Sequence, residues 1–240
     1  MSIAIISGAS RGIGRAIATE LDKEGIDEMW FISRSYEDDY DFKTPVRHFP
    51  LDLSSPSFTE TIKSALSDGG CEIKYLVCSA GVGYMGKLEE LSEKEIGNII
   101  NLNCIALSLL TKICIPYMEK GGKILEIASG AGFSPQPSFS AYAASKSYVI
   151  SLSRALRKEL KPRKIGVTAV CPGPVDTDFF KELNPPEYKK KYAISAEKVA
   201  KKSIKCAKKN KAICSPSLSI KLVHLASKLL PTSLILRFYN

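Results

Sequence analysis

Residues 2–14 read SIAIISGASRGIG, and the fold turns on this stretch. A short apolar run, SIAIIS (2–7), reads as a strand and stops at the glycine-rich segment GASRGIG (8–14), which opens a helical pattern. Glycine lets the backbone turn tightly and lets a ligand approach the main chain. A helix starting directly after such a turn offers free N–H groups and the positive end of its dipole to an anion. A lone glycine triplet is weak, and a turn needed only for packing is the alternative. Placed between a first strand and a first helix, however, the triplet stands where a dinucleotide is bound in a doubly wound α/β sheet.

The rest of the chain keeps the alternation. Further strand candidates are MWFIS (29–33), VRHFPLD (46–52), YLVCS (75–79), KILEIA (123–128) and GVTAV (166–170). Helical patterns lie at 12–24, 56–67, 93–118, 139–160 and 195–209. Ser92 with Glu95 fits a capping box, Pro56 follows two serines at a helix start, and Gly121-Gly122 and Pro162 read as helix stops. The strands are too apolar for a sheet with one wet face, so a parallel sheet covered by helices on both sides is expected. The fold class is therefore α/β, a Rossmann-type doubly wound parallel sheet in three α/β/α layers. No repeat, low-complexity tract or linker divides the chain, so 1–240 reads as one domain.

Composition narrows the function classes. The chain has 240 residues, 45% hydrophobic and 25% charged, which suits a globular domain with a large core. No run of 18 apolar residues lacks charge, and MSIAIISGAS lacks the basic start of a secretory signal, so a cytoplasmic protein is expected. Seven cysteines without a C-x-x-C pair point to reduced thiols. His48 and His224 stand far apart, which disfavours a metal site, and both are expected to be structural or surface residues. Of the net charge of +9, most sits between Lys181 and Lys211, where eleven lysines face three glutamates. Such a segment could meet nucleic acid, anionic lipid or an acidic substrate, or be a solvated helix face. Aromatics to stack on bases are scarce there, so nucleic acid is not expected.

One pair stands out for chemistry. Tyr142 is the only one of ten tyrosines with a lysine four residues later, Lys146. On a helix this spacing puts phenol and ammonium on one face. The ammonium is expected to lower the phenol's pKa toward working pH, which would make it an acid–base group.

These features together resemble the short-chain dehydrogenase/reductase family over about residues 2–200. Gly8-x-x-x-Gly12-x-Gly14 is similar to that family's T-G-x-x-x-G-x-G fingerprint, with Ser7 in place of threonine. The resemblance implies cofactor contacts from Gly8, Ser10, Arg11, Gly12, Ile13 and Gly14. It implies others from Asp52 and Leu53 at the adenine edge, and from the turn Ser79-Ala80-Gly81, where serine replaces the family's asparagine. Pro172, Gly173, Val175 and Thr177 in CPGPVDT would border the nicotinamide. Ser33 stands where relatives that prefer NAD(H) carry an acid, and Arg34 and Arg11 suit a ribose 2′-phosphate. That favours NADP(H) over NAD(H), although Glu37, Asp38 and Asp39 follow closely.

For catalysis the resemblance assigns Tyr142 as acid/base with Lys146, and Ser129, thirteen residues upstream, as the carbonyl-oxygen ligand. The same resemblance implies that Asn103, with Asn101 as the alternative, would hold a water linked to the lysine. The implied reaction passes a hydride between NADP(H) and a small-molecule carbonyl or secondary alcohol. A lid at about 176–194, with Phe179, Phe180, Leu183, Tyr188, Tyr192 and Pro185-Pro186, would cover an apolar substrate or pack on the sheet. The tail 215–240 departs from the glycine-rich ending of many relatives. Its stripe of Leu218, Leu222, Leu225 and Leu229 resembles a subgroup with an apolar C-terminal helix. That helix would cover the cleft, join subunits of a homodimer or homotetramer, or touch an anionic membrane peripherally. The rival readings are a catalytically idle NADP(H) sensor or scaffold and a nucleic-acid binder working through 181–211.

Overall fold

A computed structural model describes residues 1–35, 41–184 and 187–237, leaving aside the side chains of Tyr188 and Lys189. Glu37, Asp38 and Asp39, with Pro185, Pro186 and the Tyr188 side chain, therefore lie outside the described residues.

The first half of the chain runs β1 (Ser2–Ser7), α1 (Gly12–Leu21), β2 (Glu28–Ser33), β3 (Val46–Pro50), α2 (Phe58–Asp68), β4 (Glu72–Cys78) and α3 (Glu93–Ile100). A wide-turn segment, Asn101–Ala106, passes into α4 (Leu107–Cys114), followed by β5 (Met118–Ile127), α5 (Ser140–Glu159) and β6 (Gly166–Val170). Last come β7 (Val175–Asp176), α6 (Asp178–Glu182), α7 (Glu187–Lys190), β8 (Ile194–Ser195), α8 (Ala196–Lys208), β9 (Ile213–Cys214), α9 (Leu218–Leu229) and α10 (Thr232–Leu236).

Seven strands form one sheet in the order β3-β2-β1-β4-β5-β6-β9, and every neighbouring pair is parallel. Both faces are buried. Ile3, Ile5, Trp30 and Ile124 pack with Leu107, Leu110 and Val149 on one side, and Ile6, Phe31 and Leu125 pack with Ile17, Leu21 and Val199 on the other. The expected three-layer sheet is thus observed. Strand order reverses between β1 and β4, and that reversal places the crevice at their carboxyl ends, beside Gly8 and Ser79.

The differences from sequence expectation have physical causes. Helix 93–118 divides, because the wide turn at Asn101–Ala106 interrupts it and helical structure ends at Tyr117. Gly121-Gly122 does not stop a helix. Ile73 pairs with Met118 and Tyr75 with Lys123, so residues 119–122 bulge out of β5, and Gly121 takes the left-handed φ of +94°. β9 is a seventh strand of only two residues, too short to leave an alternation. The Ser92–Glu95 capping box is present, with Ser92 N donating to Glu95 Oε2 at 2.8 Å. The segment Glu93–Tyr117 is apolar and long enough to cross a membrane, but half of its apolar window is buried in the fold. Ile99, Leu107, Leu110 and Cys114 are among those buried side chains.

Candidate active site

The glycine loop is held by close approach. Gly8 (φ +67°) and Gly12 (φ +61°) take left-handed conformations. A Cβ on Gly8 would stand 2.8 Å from Ala80 N, and one on Gly14 would stand 2.2 Å from Gly8 O. Ser7 ties this loop to the neighbouring strand, its Oγ accepting from Ser79 N at 3.1 Å and Ala80 N at 3.2 Å. The Ser79-Ala80-Gly81 turn is thereby anchored without the asparagine that the family places there. The N-cap of α1, Arg11, makes no side-chain cap bond, and the first turn carries no acid. Its leading N–H groups are left for an anionic ligand, so the loop fits a dinucleotide pyrophosphate.

Ser10 O accepts from Arg15 Nη1 at 3.0 Å, which braces the loop. Arg11 turns to α6, with Nη1 2.9 Å from Glu182 Oε1 and 3.7 Å from Asp178 Oδ2. Arg34 is exposed, as is Asp52. The Asp52 carboxyl is held below its usual range by hydrogen bonds from Ser54, burial working against them, and by the Arg34 charge. Leu53 is buried in the core. Ser33 Oγ donates to Ser35 O at 2.8 Å and lies 3.2 Å from His48 Nε2, which makes His48 structural.

The chemical groups gather beyond β4 and β5. Tyr142 and Lys146 lie on the buried face of α5. Of the two asparagine registers, Asn103 is fully buried and Asn101 is exposed. Asn103 exchanges two hydrogen bonds with Val82 (2.9 and 2.8 Å) and donates to Ser145 Oγ at 3.0 Å. Lys146 Nζ donates to Ile127 O at 2.9 Å. A Cβ on Gly81 would lie 3.0 Å from Asn103 Oδ1 and 3.4 Å from Lys146 Nζ, so these groups surround one backbone position. Ser129 Oγ accepts from Ala131 N at 3.1 Å.

The electrostatics correct one expectation. Lys146 does not lower the Tyr142 pKa here. Burial pushes that phenol up to about 12, opposed only by a hydrogen bond from Ser129. The ammonium stands 5.6 Å from the ring centroid. Burial also pulls Lys146 down to about 8, with opposing contributions from Cys104, Glu126 and Cys171. Tyr142 is therefore a firmly protonated phenol at neutral pH. An alkoxide is a stronger base than such a phenolate, so the arrangement suits proton donation to a developing alkoxide.

Three further contributors are not among the residues expected from the sequence. Gly83 lets the loop pass the phenol, since a Cβ there would stand 2.8 Å from Tyr142 Cδ2 and 3.2 Å from Phe179 Cζ. Ser145 holds Asn103, and its three-residue offset from Tyr142 could have suggested it. Ile220 is the third. A Cβ on Gly130 would stand 2.6 Å from Ile220 Cδ1, and one on Gly173 2.8 Å from Ile220 Cγ1. The C-terminal helix is thereby wedged between the Ser129 loop and the Pro172-Gly173 turn, with His224 stacked on Phe133 at 4.2 Å. Gly130 N donates to Pro172 O at 2.7 Å.

The segment expected from the sequence as a lid begins and ends on the pairing of β7 with β8, Val175 opposite Ile194. Thr177 caps α6 and lies 3.4 Å from a Cβ position on Gly12, so the start of α6 rests on the glycine loop. Phe179 meets Tyr142 at 6.0 Å, and Phe139 stacks on it at 4.3 Å. Apolar rings therefore wall the phenol.

A family model for short chain dehydrogenases matches residues 2–188. The human very-long-chain 3-oxoacyl-CoA reductase is 32% identical over 197 residues, 76% of this chain and 62% of its own length. The human inactive hydroxysteroid dehydrogenase-like protein 1 is 32% identical over 195 residues, 75% of this chain and 58% of its own length. The chain thus spans about three fifths of these two relatives. Among solved structures, a short-chain dehydrogenase from Sphingobium yanoikuyae in complex with NADPH superposes with a TM-score of 0.79 at 23% identity, covering 95% of this chain and 94% of that one.

Proposed function

The chain belongs to the short-chain dehydrogenase/reductase family, and from that premise we propose that it is an NADP(H)-dependent oxidoreductase acting on a carbonyl or secondary alcohol. The observation that carries this reading is the convergence of Ser129, Tyr142, Lys146 and Asn103 past the ends of β4 and β5, beside the glycine loop. A bound nicotinamide would supply or accept the hydride. Gly8, Ser10, Gly12, Ile13 and Gly14 would hold its pyrophosphate, Asp52 and Leu53 the adenine side, and Ser79, Ala80 and Gly81 the middle. Pro172, Gly173, Val175 and Thr177 would border the nicotinamide end. Ser129 orients the carbonyl oxygen, Tyr142 gives it a proton, Lys146 fixes the ribose side, and Asn103 keeps the loop around Val82 in place. The aromatic wall of Phe139 and Phe179 favours an apolar substrate.

The 2′-phosphate would be read by Arg34 and Arg11. Arg11 is paired with Glu182, but both side chains are more than half exposed, 56% and 60%. Such a pair contributes at most about 1 kcal/mol, so a dianionic phosphate displaces it. NADPH is expected to bind at least about ten times more tightly than NADH, and Arg34→Ala should erase most of that gap. Titration of both cofactors by fluorescence checks this; equal or tighter NADH binding by the native chain sinks the assignment.

All seven cysteines are free and buried, which supports a reducing, cytoplasmic setting. Assembly as a homodimer or homotetramer is part of the same reading, and light scattering measures it directly. α9 turns Ile220 inward while Leu218, Leu222, Leu225 and Leu229 are exposed, with exposed Lys221 and Lys228 among them. From Lys198 to Asn240 the chain has no acidic residue. That face suits peripheral contact with an anionic membrane. In flotation, vesicles containing anionic lipid should carry the protein up and neutral vesicles should not; failure with both removes the contact.

A further inference from the structure

A carboxyl lies inside the core, and none of the proposed chemistry employs it. Glu126, in the interior strand β5, is completely buried. Its register neighbours are Cys78 on β4 and Ala169 on β6. Oε1 accepts from Thr111 Oγ1 of α4 at 2.8 Å, while Oε2 has no hydrogen-bond partner. Isolated ionised carboxylates are costly in such a place, and an apolar or amide side chain would fill the space more cheaply. The next residue, Ile127, supplies the carbonyl that holds Lys146.

We propose that Glu126 is a positioning residue for the reaction, the internal counter-charge that keeps the Lys146 ammonium charged in its apolar surroundings. The two groups meet on one buried stretch of β5, where Lys146 Nζ binds the carbonyl of the residue after Glu126 and Glu126 Oε2 is left without a partner, and the charge follows by elimination among the groups that face them. Around Lys146 the acidic functions are Cys104 of the wide-turn segment, Glu126, and Cys171 after β6. Burial raises the Cys104 thiol and pushes Cys171 up to about 12, so both are neutral at physiological pH. Around Glu126, Cys78 from β4 and Cys114 from α4 are likewise raised by burial and then by the carboxyl itself, and Cys71 beside Cys114 is raised too. Glu126 alone in this group can be anionic there, since burial lifts it only to about 7, against the Thr111, Cys78 and Lys146 interactions. Carboxyl and ammonium thus titrate within the same narrow range and each favours the other's charged form.

The inference rests on Lys146 being the lysine of the proposed site, and the two are separable because the test needs no turnover. Cofactor-free protein labelled with ¹³Cε-lysine is titrated by NMR, the Lys146 signal being assigned by its loss in Lys146→Met. The native midpoint should fall near 8. In Glu126→Gln it should drop by about one pH unit, the size of a single charge interaction at an intermediate effective dielectric. Thr111→Val removes the bond that favours the carboxylate, so it should shift the midpoint in the same direction by less. A folded Glu126→Gln protein with an unchanged Lys146 midpoint overturns the proposal. Should that variant not fold, an unchanged midpoint in Thr111→Val overturns it equally.

Discussion

Tyr142→Phe is expected to lower turnover by about a thousandfold or more while leaving NADPH affinity within about twofold, because it removes a proton donor and nothing else. The hydroxyl meets only Ser129 among the groups that shift its titration. The ring's stacking on Phe139 at 4.3 Å does not depend on the oxygen. The phenol is 7% exposed, so bulk water has little access to replace it as donor. The expected result is therefore a drop in kcat with a folded, cofactor-competent protein. Single-turnover NADPH oxidation and fluorescence binding, measured on the same preparation, separate the two effects. A variant that keeps more than about a tenth of native turnover would show that another group carries the proton.

Gly8→Ala has the largest expected effect on the binding half of the site. The added methyl would stand 2.8 Å from Ala80 N and 2.9 Å from Ala80 Cα, with φ at +67°. Both neighbours are backbone, anchored by Ser7 Oγ, and cannot swing away as a side-chain tip can. Left-handed strain alone costs about 1 kcal/mol, and a backbone clash at this distance adds to it. The loop and the 79–81 turn must separate, which opens the floor on which a pyrophosphate would lie. We expect NADPH affinity to fall by about a hundredfold or more, with a lowered melting temperature. Gly25→Ala is the control: φ is again positive at +61°, but nothing lies within 4 Å, so cofactor binding should be unchanged. Equal loss in both variants would place the effect in backbone strain and not in the cradle.

Much of this architecture is legible in the sequence, for identifiable reasons. SIAIISGASRGIG states strand, turn and helix within thirteen residues, and the Tyr142–Lys146 spacing states a shared helix face. Periodicity also located the strands of the sheet up to β6. It does not locate β9, whose two residues are ordered by pairing of Ala169 with Ile213 and Val170 with Cys214, a tertiary event. Nor does it reveal the wide turn at Asn101–Ala106, because its hydrophobic pattern runs on as helix. That turn belongs to the choice between Asn101 and Asn103, which spacing alone left open. The sign of the Tyr142 pKa shift is illegible in the sequence for a similar reason. Proximity along a helix predicts an ion effect, but depth in the fold decides its sign, and burial outweighs an ammonium that is bonded elsewhere. The partnering of Arg11 with Glu182 depends on α6 standing beside the glycine loop, a contact across 171 residues of sequence.

The most direct test of the central claim is NADPH oxidation by the native chain against a broad panel of carbonyl compounds weighted toward apolar ketones. The expected result is saturable oxidation of NADPH by at least one member, lost in Tyr142→Phe. Tight NADPH binding with no oxidation across the whole panel would contradict it and identify an idle cofactor-binding member of the family.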